Sequence, residues 1–376
     1  MITRVRLFIV VIRPAVLLIL GMFALVALAQ SGHGNDPFLL VRVLLVVVSF
    51  LVFSVAVNDM ADEAIDRINL RGVTNRPLVI GSATRRELTV VAGVGACMAL
   101  AGASLLTWPA LIVTVCGLLT SAAYSIGPIR LANRGVVASL VLPACYVAVP
   151  FLVGSFSVQG SIGWHQLELL TGLYIGFIGR IVLKDFRDVK GDSLFGKRTF
   201  LVRYGRKSTV VFSGVFMAVG TTIISVVDGW SLTGVLLYFA LLGPGLFVLW
   251  SLGHSADHRR DERLIATSAI LGRGIVMILL MHLEMMGAGG KWTLPSAMIA
   301  GIFIILTIGQ ARSMIRFGPR AYVLVPWKMQ STAMHGRQGA NIPPLDGARD
   351  GTPNRMSTGR FDGRTSGQIP EGAMPR

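Results

Sequence analysis

Ten runs of apolar residues, each close to twenty residues long, constrain this chain more than any other feature. They occupy roughly 7–29, 38–58, 88–107, 109–126, 136–156, 166–184, 208–227, 231–252, 265–286 and 293–313. A run of that length crosses a ~30 Å hydrocarbon layer as an α-helix, the form that satisfies every backbone polar group internally. Charged residues make up 14% of the chain, where soluble domains carry about 25%. Alternating segments of about ten residues, the mark of an outer-membrane barrel, are absent. The pattern predicts an all-α polytopic membrane domain over 1–318. The remainder, 319–376, is rich in Gly, Pro, Arg and Ser, lacks hydrophobic periodicity, and reads as a basic disordered tail.

The first run imitates a secretory signal, since Arg4 and Arg6 precede it and "ALVALAQSG" closes it. It is longer than a signal's apolar region, and Arg13 followed by Pro14 interrupts it, so a retained helix is expected. Three cysteines, Cys97, Cys116 and Cys145, lie inside apolar runs at a spacing that fits no zinc or redox motif, and read as small packing residues. The six histidines form no recognisable metal motif.

A net charge of +16 raises the question of nucleic acid. Its distribution answers it: the basic residues flank apolar runs, and no aromatic–basic binding module is visible. Arg67, Arg71, Arg76, Arg85 and Arg86 follow the second run, and Arg130 and Arg134 the fourth. Eight basic residues, Lys184 to Lys207, follow the sixth, and Arg259, Arg260 and Arg263 the eighth. The intervening loops are almost free of Lys and Arg, with Lys291 the exception and Arg42 close to one. This alternation predicts a cytoplasmic-membrane protein with its N-terminus, its even-numbered connections and its basic tail in the cytoplasm. An even number of spans follows, ten rather than nine. Trp108, Trp164, Trp230 and Trp292 fall at the opposite ends, where an interfacial aromatic belt would lie.

Against this background two acidic motifs stand out among only 19 acidic residues. "VNDMADEAID" carries Asp59, Asp62 and Asp66; "LKDFRDVKGD" carries Asp185, Asp188 and Asp192. Both read i, i+3, i+7, which lines three carboxylates along one face of a helix, and Asn58 joins the first row. Like charges so spaced repel unless a cation lies between the rows. A hard ion such as Mg²⁺ takes carboxylates and completes its shell with water and substrate phosphates. Arg76 follows the first motif, and Lys184, Arg187, Lys190 and Arg198 surround the second. Metal plus Arg and Lys at a membrane surface is the chemistry of diphosphate binding. A cation-coupled transporter is the competing class, but transporters place such acids near the midplane in broken helices, not at span ends.

These motifs resemble the UbiA superfamily of intramembrane prenyltransferases. "NDMADEAID" with the later "NRPLVIG" is similar to the family's first signature, "KDFRDVKGDSLFGKRT" to its second, and "AYSIGPIRLANRG" to its third loop. The second match departs in spacing, since Asp192 follows Asp188 one residue early. The resemblance implies nine or so helices around a central cavity, and transfer of an isoprenoid chain from its diphosphate to an acceptor. It implies that Asn58, Asp62 and Asp66 hold one Mg²⁺ with the diphosphate, and Asp188 and Asp192 another. Asp59 and Asp185 would be supporting acids on the metals, and Arg76 and Lys184 would pair with phosphate oxygens. Arg130 stands near the loop position where many members have a lysine, and Pro128 occupies that position itself. Tyr124 either faces the reacting centre or anchors the interface. Arg180, one turn before Lys184, either snorkels or lines the cavity. An aromatic quinone-type precursor is the leading acceptor. The alternatives are a glycerol-phosphate lipid, a chlorophyll-like alcohol exchange, or phosphoribosyl transfer to a polyprenyl phosphate. "AIDRINLRGVTNRP" is nearer the chlorophyll-synthase and archaeal-lipid types than the 4-hydroxybenzoate type.

Overall fold

The computed structural model describes residues 11–69, 76–158, 160–196, 198–227, 232–255, 257–287 and 294–318. The expected tail over 319–376, together with Arg71, Trp230, Lys291 and Trp292, lies outside the described residues. Within them the chain is helical, without strands. The helices are α1 (Pro14–Gln30), α2 (Pro37–Ala61), the short α3 (Glu63–Asn69), α4 (Arg85–Ser104), α5 (Trp108–Ser125) and α6 (Val136–Val158). They continue with α7 (Trp164–Ile181), α8 (Asp185–Leu194), α9 (Phe200–Val227), α10 (Leu232–Gly253), α11 (His258–Gly287) and α12 (Leu294–Phe317). A 3₁₀ turn, Val182–Lys184, joins α7 to α8 without a loop.

Among the described residues nine helices are long and apolar enough to cross a membrane, and α1 adds an apolar helix of 17 residues. Together they fall on the ten runs. Local sequence starts several of them. Pro37 occupies the first turn of α2, and Asp36 accepts from the backbone N–H of Phe38 and Leu39, both at 3.0 Å. Thr84 and Glu87 close a capping box on α4. Within α6, Pro143 removes a backbone donor and is followed by a π-helical turn, Ala144–Ala148.

Helix α1 is apolar all round and buries opposite faces. Leu20, Ala24 and Leu28 pack with α2 and α4, while Phe23, Val26 and Ala27 pack with α6, α7, α9 and α11. Helices α7 and α9 meet most closely. A Cβ at Gly220 would lie 2.4 Å from Gly176 N and 2.6 Å from Gly172 O, so only glycine lets the two backbones touch. The outward faces carry exposed Leu119, Phe247 and Ile305, as lipid contact requires. Cys97 and Cys116 belong to that outer surface and only Cys145 is buried, so two of the three cysteines are not the packing residues expected.

Candidate active site

The two acidic motifs meet because their short helices pack against each other. Helix α2 ends at Ala61, Asp62 adopts φ −100° as its cap, and α3 starts afresh at Glu63. The first motif therefore runs across a helix break, and the expected single face of three carboxylates does not form. Asn58, Asp62 and Asp66 border one cavity of about 510 Å³, and Asp188 and Asp192 border it from α8. Asp59 and Asp185 are buried and do not line it. Asp59 instead receives both Arg13 and Arg76 as ion pairs.

Basic side chains knit the first row into position. Arg76 Nε lies 3.1 Å from Asp66 Oδ2, and Arg130 Nη2 donates to Asp62 Oδ1 at 2.9 Å and to the Ala61 carbonyl at 3.1 Å. Asn58 Nδ2 donates to Asp62 Oδ2 at 3.0 Å, one turn along the same helix. Opposite them, Lys184 Nζ donates to the Tyr124 hydroxyl at 3.1 Å. Arg198 is exposed and outside the cavity lining.

Burial, followed by the charges of Asp62, Asp59 and Asp188, pushes the Asp66 carboxyl up to about 7, against a lowering pull from Arg13. The contribution from Asp188 means that the rows on α3 and α8 share one electrostatic field. Among the described residues no three His, Cys, Asp or Glu side chains converge into a ready-made metal cage. Crowded carboxylates from two helices, open to the cavity, instead fit an ion that takes one or two from each row and fills its shell with water and phosphate oxygens.

Away from the acids the cavity is apolar. Val16 and Ile19 of α1, Val55 of α2, Leu142 and Tyr146 of α6 and Phe177 of α7 line it. Tyr146 sits on the π-helical turn and stacks on Phe177 at 6.0 Å between ring centres. Trp108 and Trp164 begin α5 and α7, at the ends opposite Tyr124 and Lys184, and are 72% and 81% exposed. The site thus occupies one end of the helices, and this tryptophan pair marks the other.

A model of the UbiA prenyltransferase family matches residues 17–271, more than half of the chain. The chain belongs to that family. It is a prenyltransferase and an integral membrane protein, as the motif resemblance implied. Among family members, the digeranylgeranylglyceryl phosphate synthase of Methanoculleus marisnigri is 25% identical over 229 residues, covering 60% of this chain and 78% of the relative. The bacteriochlorophyll synthase 34 kDa chain of Chloroflexus aurantiacus is 26% identical over 153 residues, 41% of this chain and 48% of that one. The solved structure of a UbiA homologue from Archaeoglobus fulgidus bound to DMAPP and Mg²⁺ shares the fold, with a TM-score of 0.50 at 14% identity over 82% of this chain and 99% of that one.

Four cavity residues, Arg13, Tyr146, Glu262 and Arg273, were not singled out from the motifs, and Arg180 resolves to the cavity rather than to the membrane surface. A signal existed for two of them. Arg13 and Arg273 are charges inside apolar runs, and such residues face a cavity or a partner by default. Tyr146 had none, because nothing in its run marks the π-helical turn.

Proposed function

We propose that this cavity binds a prenyl diphosphate with Mg²⁺ and transfers the isoprenoid chain to a lipid-type acceptor. The observation that carries the reading is the meeting of Asn58, Asp62 and Asp66 with Asp188 and Asp192 at one mouth, beneath apolar walls. Mg²⁺ held by these five residues would neutralise the charge that builds on the departing diphosphate. Arg76 and Lys184 border the same mouth and donate to phosphate oxygens, an interaction that strengthens as the allylic C–O bond breaks and its electron pair leaves with the diphosphate, while Arg130 holds Asp62 in place from outside the lining. The walls exclude water that would capture the allylic cation, and the faces of Tyr146 and Phe177 stabilise positive charge. An acceptor oxygen then bonds to the cationic carbon and loses its proton.

The names of the relatives support a lipid or alcohol-type acceptor over the aromatic quinone-type precursor that the motifs first suggested. The loop charges support an orientation with the site toward the cytoplasm. Purified protein should release diphosphate from a prenyl diphosphate only when both Mg²⁺ and an acceptor are present. Asp62→Ala and Asp188→Ala should abolish turnover while the protein still inserts; full activity in either rejects the site.

A further inference from the structure

Helix α9 does not start straight. Gly205 has φ 77° and ψ 174°, so residues 206–227 set off in a new direction. Phe200 and Phe212 would be about 18 Å apart along an unbroken helix, yet their ring centres are 4.5 Å apart. The stretch 200–204 is therefore folded back along the flank of the helix that follows it. It reaches the level of Phe212, about 9 Å beyond Arg206 along that helix. Tyr204 and Phe216 extend the row of rings, at 4.7 Å from Phe200 and 4.2 Å from Phe212. The chain leading in is held as well. A Cβ at Gly135, at the start of α6, would lie 2.6 Å from the Arg198 carbonyl oxygen.

This corner is apolar and basic at once. Val202 and Tyr204 are 39% and 44% exposed, continuous with the exposed Val211 and Val215 further along α9. Arg198, Arg203 and Lys207 are exposed beside them, and among the described residues no ion pair joins any of the three to a carboxylate. The Arg203 guanidinium lies 5.3 Å from the centre of the Tyr204 ring. A soluble anion would be matched by the cations alone and would leave the apolar side chains in water. The surface of an anionic leaflet matches both. Aromatic rings rest at the headgroup level, and each Lys or Arg near such a surface favours it by about fivefold.

The first residue beyond the turn connects this surface to the acids. Arg206 Nη1 donates to Asp261 Oδ1 of α11 at 3.0 Å and to the Leu252 carbonyl of α10 at 2.8 Å, and Nη2 donates to Asp261 Oδ2 at 2.7 Å. The same guanidinium lies 4.9 Å from the centre of the Phe186 ring of α8. Phe186 is 1% exposed and comes two residues before Asp188. We propose that the folded-back start of α9 is a contact surface for anionic lipid headgroups, and that seating it on the bilayer fixes Arg206 and, through Phe186, the acids of α8. Arg206 is thus a positioning residue. In a neutral bilayer the stretch loses its headgroup contacts, α8 is held less firmly, and Asp188 and Asp192 meet the first acidic row less often. The coupling to turnover rests on the prenyltransferase reading; the lipid contact does not.

The full chain carrying Tyr204→Trp is placed in nanodiscs of phosphatidylcholine mixed with phosphatidylglycerol, with one or the other lipid brominated at equal mole fraction. The fluorescence of the unsubstituted protein is subtracted. Bromine quenches an indole on contact, so brominated phosphatidylglycerol should quench about twofold more or better, and added salt should reduce the difference. R198Q, R203Q and K207Q together should equalise the two lipids. If that triple variant does not insert, the two lipids compared on Tyr204→Trp alone decide. Diphosphate release by the unsubstituted protein should be at least about threefold faster with phosphatidylglycerol than in phosphatidylcholine alone. R206Q, or Phe186→Leu if R206Q does not insert, should remove that stimulation and leave the quenching preference in place. Equal quenching by the two lipids, quenching by neither, or a preference that survives the triple substitution overturns the lipid contact. So does inorganic phosphate that stimulates phosphatidylcholine discs to the same rate, since the cations would then serve a free anion. Equal turnover in the two bilayers overturns the coupling to α8 even where the quenching preference stands. If no bilayer supports diphosphate release, the prenyltransferase reading fails, and the quenching still decides the lipid contact.

Discussion

Lys184 donates from Nζ to the Tyr124 hydroxyl at 3.1 Å, and the same ammonium lies 5.7 Å from the centre of the tyrosine ring. The two residues come from the ends of different helices, so the contact fixes the lysine at the junction of the acidic mouth and the apolar chamber. Removing the charge and removing the hydroxyl should therefore have unequal effects. Lys184→Met should lower kcat/KM by about 100-fold or more, the cost of losing a donor to developing charge. Tyr124→Phe keeps the ring beneath the ammonium and should cost less than about tenfold. Steady-state kinetics on both variants decide it. An equal loss in Tyr124→Phe would make the phenol a proton-transfer group instead of a support for the lysine.

Asp59 should behave as a structural acid. It is 3% exposed, lies outside the cavity lining, and receives Arg13 from the start of α1 and Arg76 from the segment after α3. Asp59→Ala leaves the partly buried Arg13 without a carboxylate partner and Arg76 with Asp66 alone, a loss of about 3–5 kcal/mol. Asp62→Ala, at the rim, should change stability far less while removing activity. Thermal unfolding of both variants in the same detergent, beside their diphosphate release, separates the roles. A stable but inactive Asp59→Ala would return Asp59 to the metal.

The contrast between Asp59 and Asp62 also marks how far the chain can be read before it is folded. Runs of twenty apolar residues dictate helices, because hydrocarbon allows no other open form, and all ten were legible. So was the gathering of Asp62, Asp66, Asp188 and Asp192 at one end of the helices, since acids crowded at the ends of such runs repel one another unless they bind a cation, and Asn58 lies one turn before Asp62. The i, i+3, i+7 spacing also placed Asp59 and Asp185 on the same face as their neighbours, whereas both are buried outside the cavity lining. In the first motif a helix break falls at Asp62, which accepts from Arg130, 68 residues away, and the helix beyond it packs on α8. Pairings such as Arg13 with Asp59 or Arg180 with α11 depend likewise on helices distant in sequence, and no local period encodes them.

Asp66 ties the site to pH. Its carboxyl is held up to about 7 against a reference value of 3.8, chiefly by burial. The folded, metal-free protein therefore keeps a proton that the unfolded chain releases near pH 4. Between about pH 4 and 7 the folded state binds more protons, and stability must fall as pH rises through that window. The melting temperature of the metal-free protein should drop by several degrees across it. On the proposed reading Mg²⁺ would have to displace the proton, so its apparent affinity should rise by up to about tenfold per pH unit below 7 and level off above. Asp66→Asn should flatten both curves. A melting temperature that rises from pH 5 to 7 in the metal-free protein would contradict the shift.

The close approach of α7 and α9 should be as necessary to activity as the acids, because α7 carries Arg180 and leads directly into Lys184. Gly220→Ala places a methyl group 2.4 Å from a backbone nitrogen of α7, and neither backbone can yield without moving its whole helix. Overpacking of this kind costs about 1–3 kcal/mol, and in a domain of this size each kcal/mol lowers Tm by roughly 2–4 °C. The displacement of α7 should also reduce kcat, since it moves the lysine relative to the acids. Gly243→Ala on α10 is the control: nothing lies within 4 Å of its Cβ, and alanine is the better helix former by up to about 1 kcal/mol. That variant should be as stable as the parent or slightly more so, with unchanged turnover. If Gly220→Ala melts and turns over like Gly243→Ala, the α7–α9 contact is looser than the structure has it, and the placement of Lys184 does not depend on it.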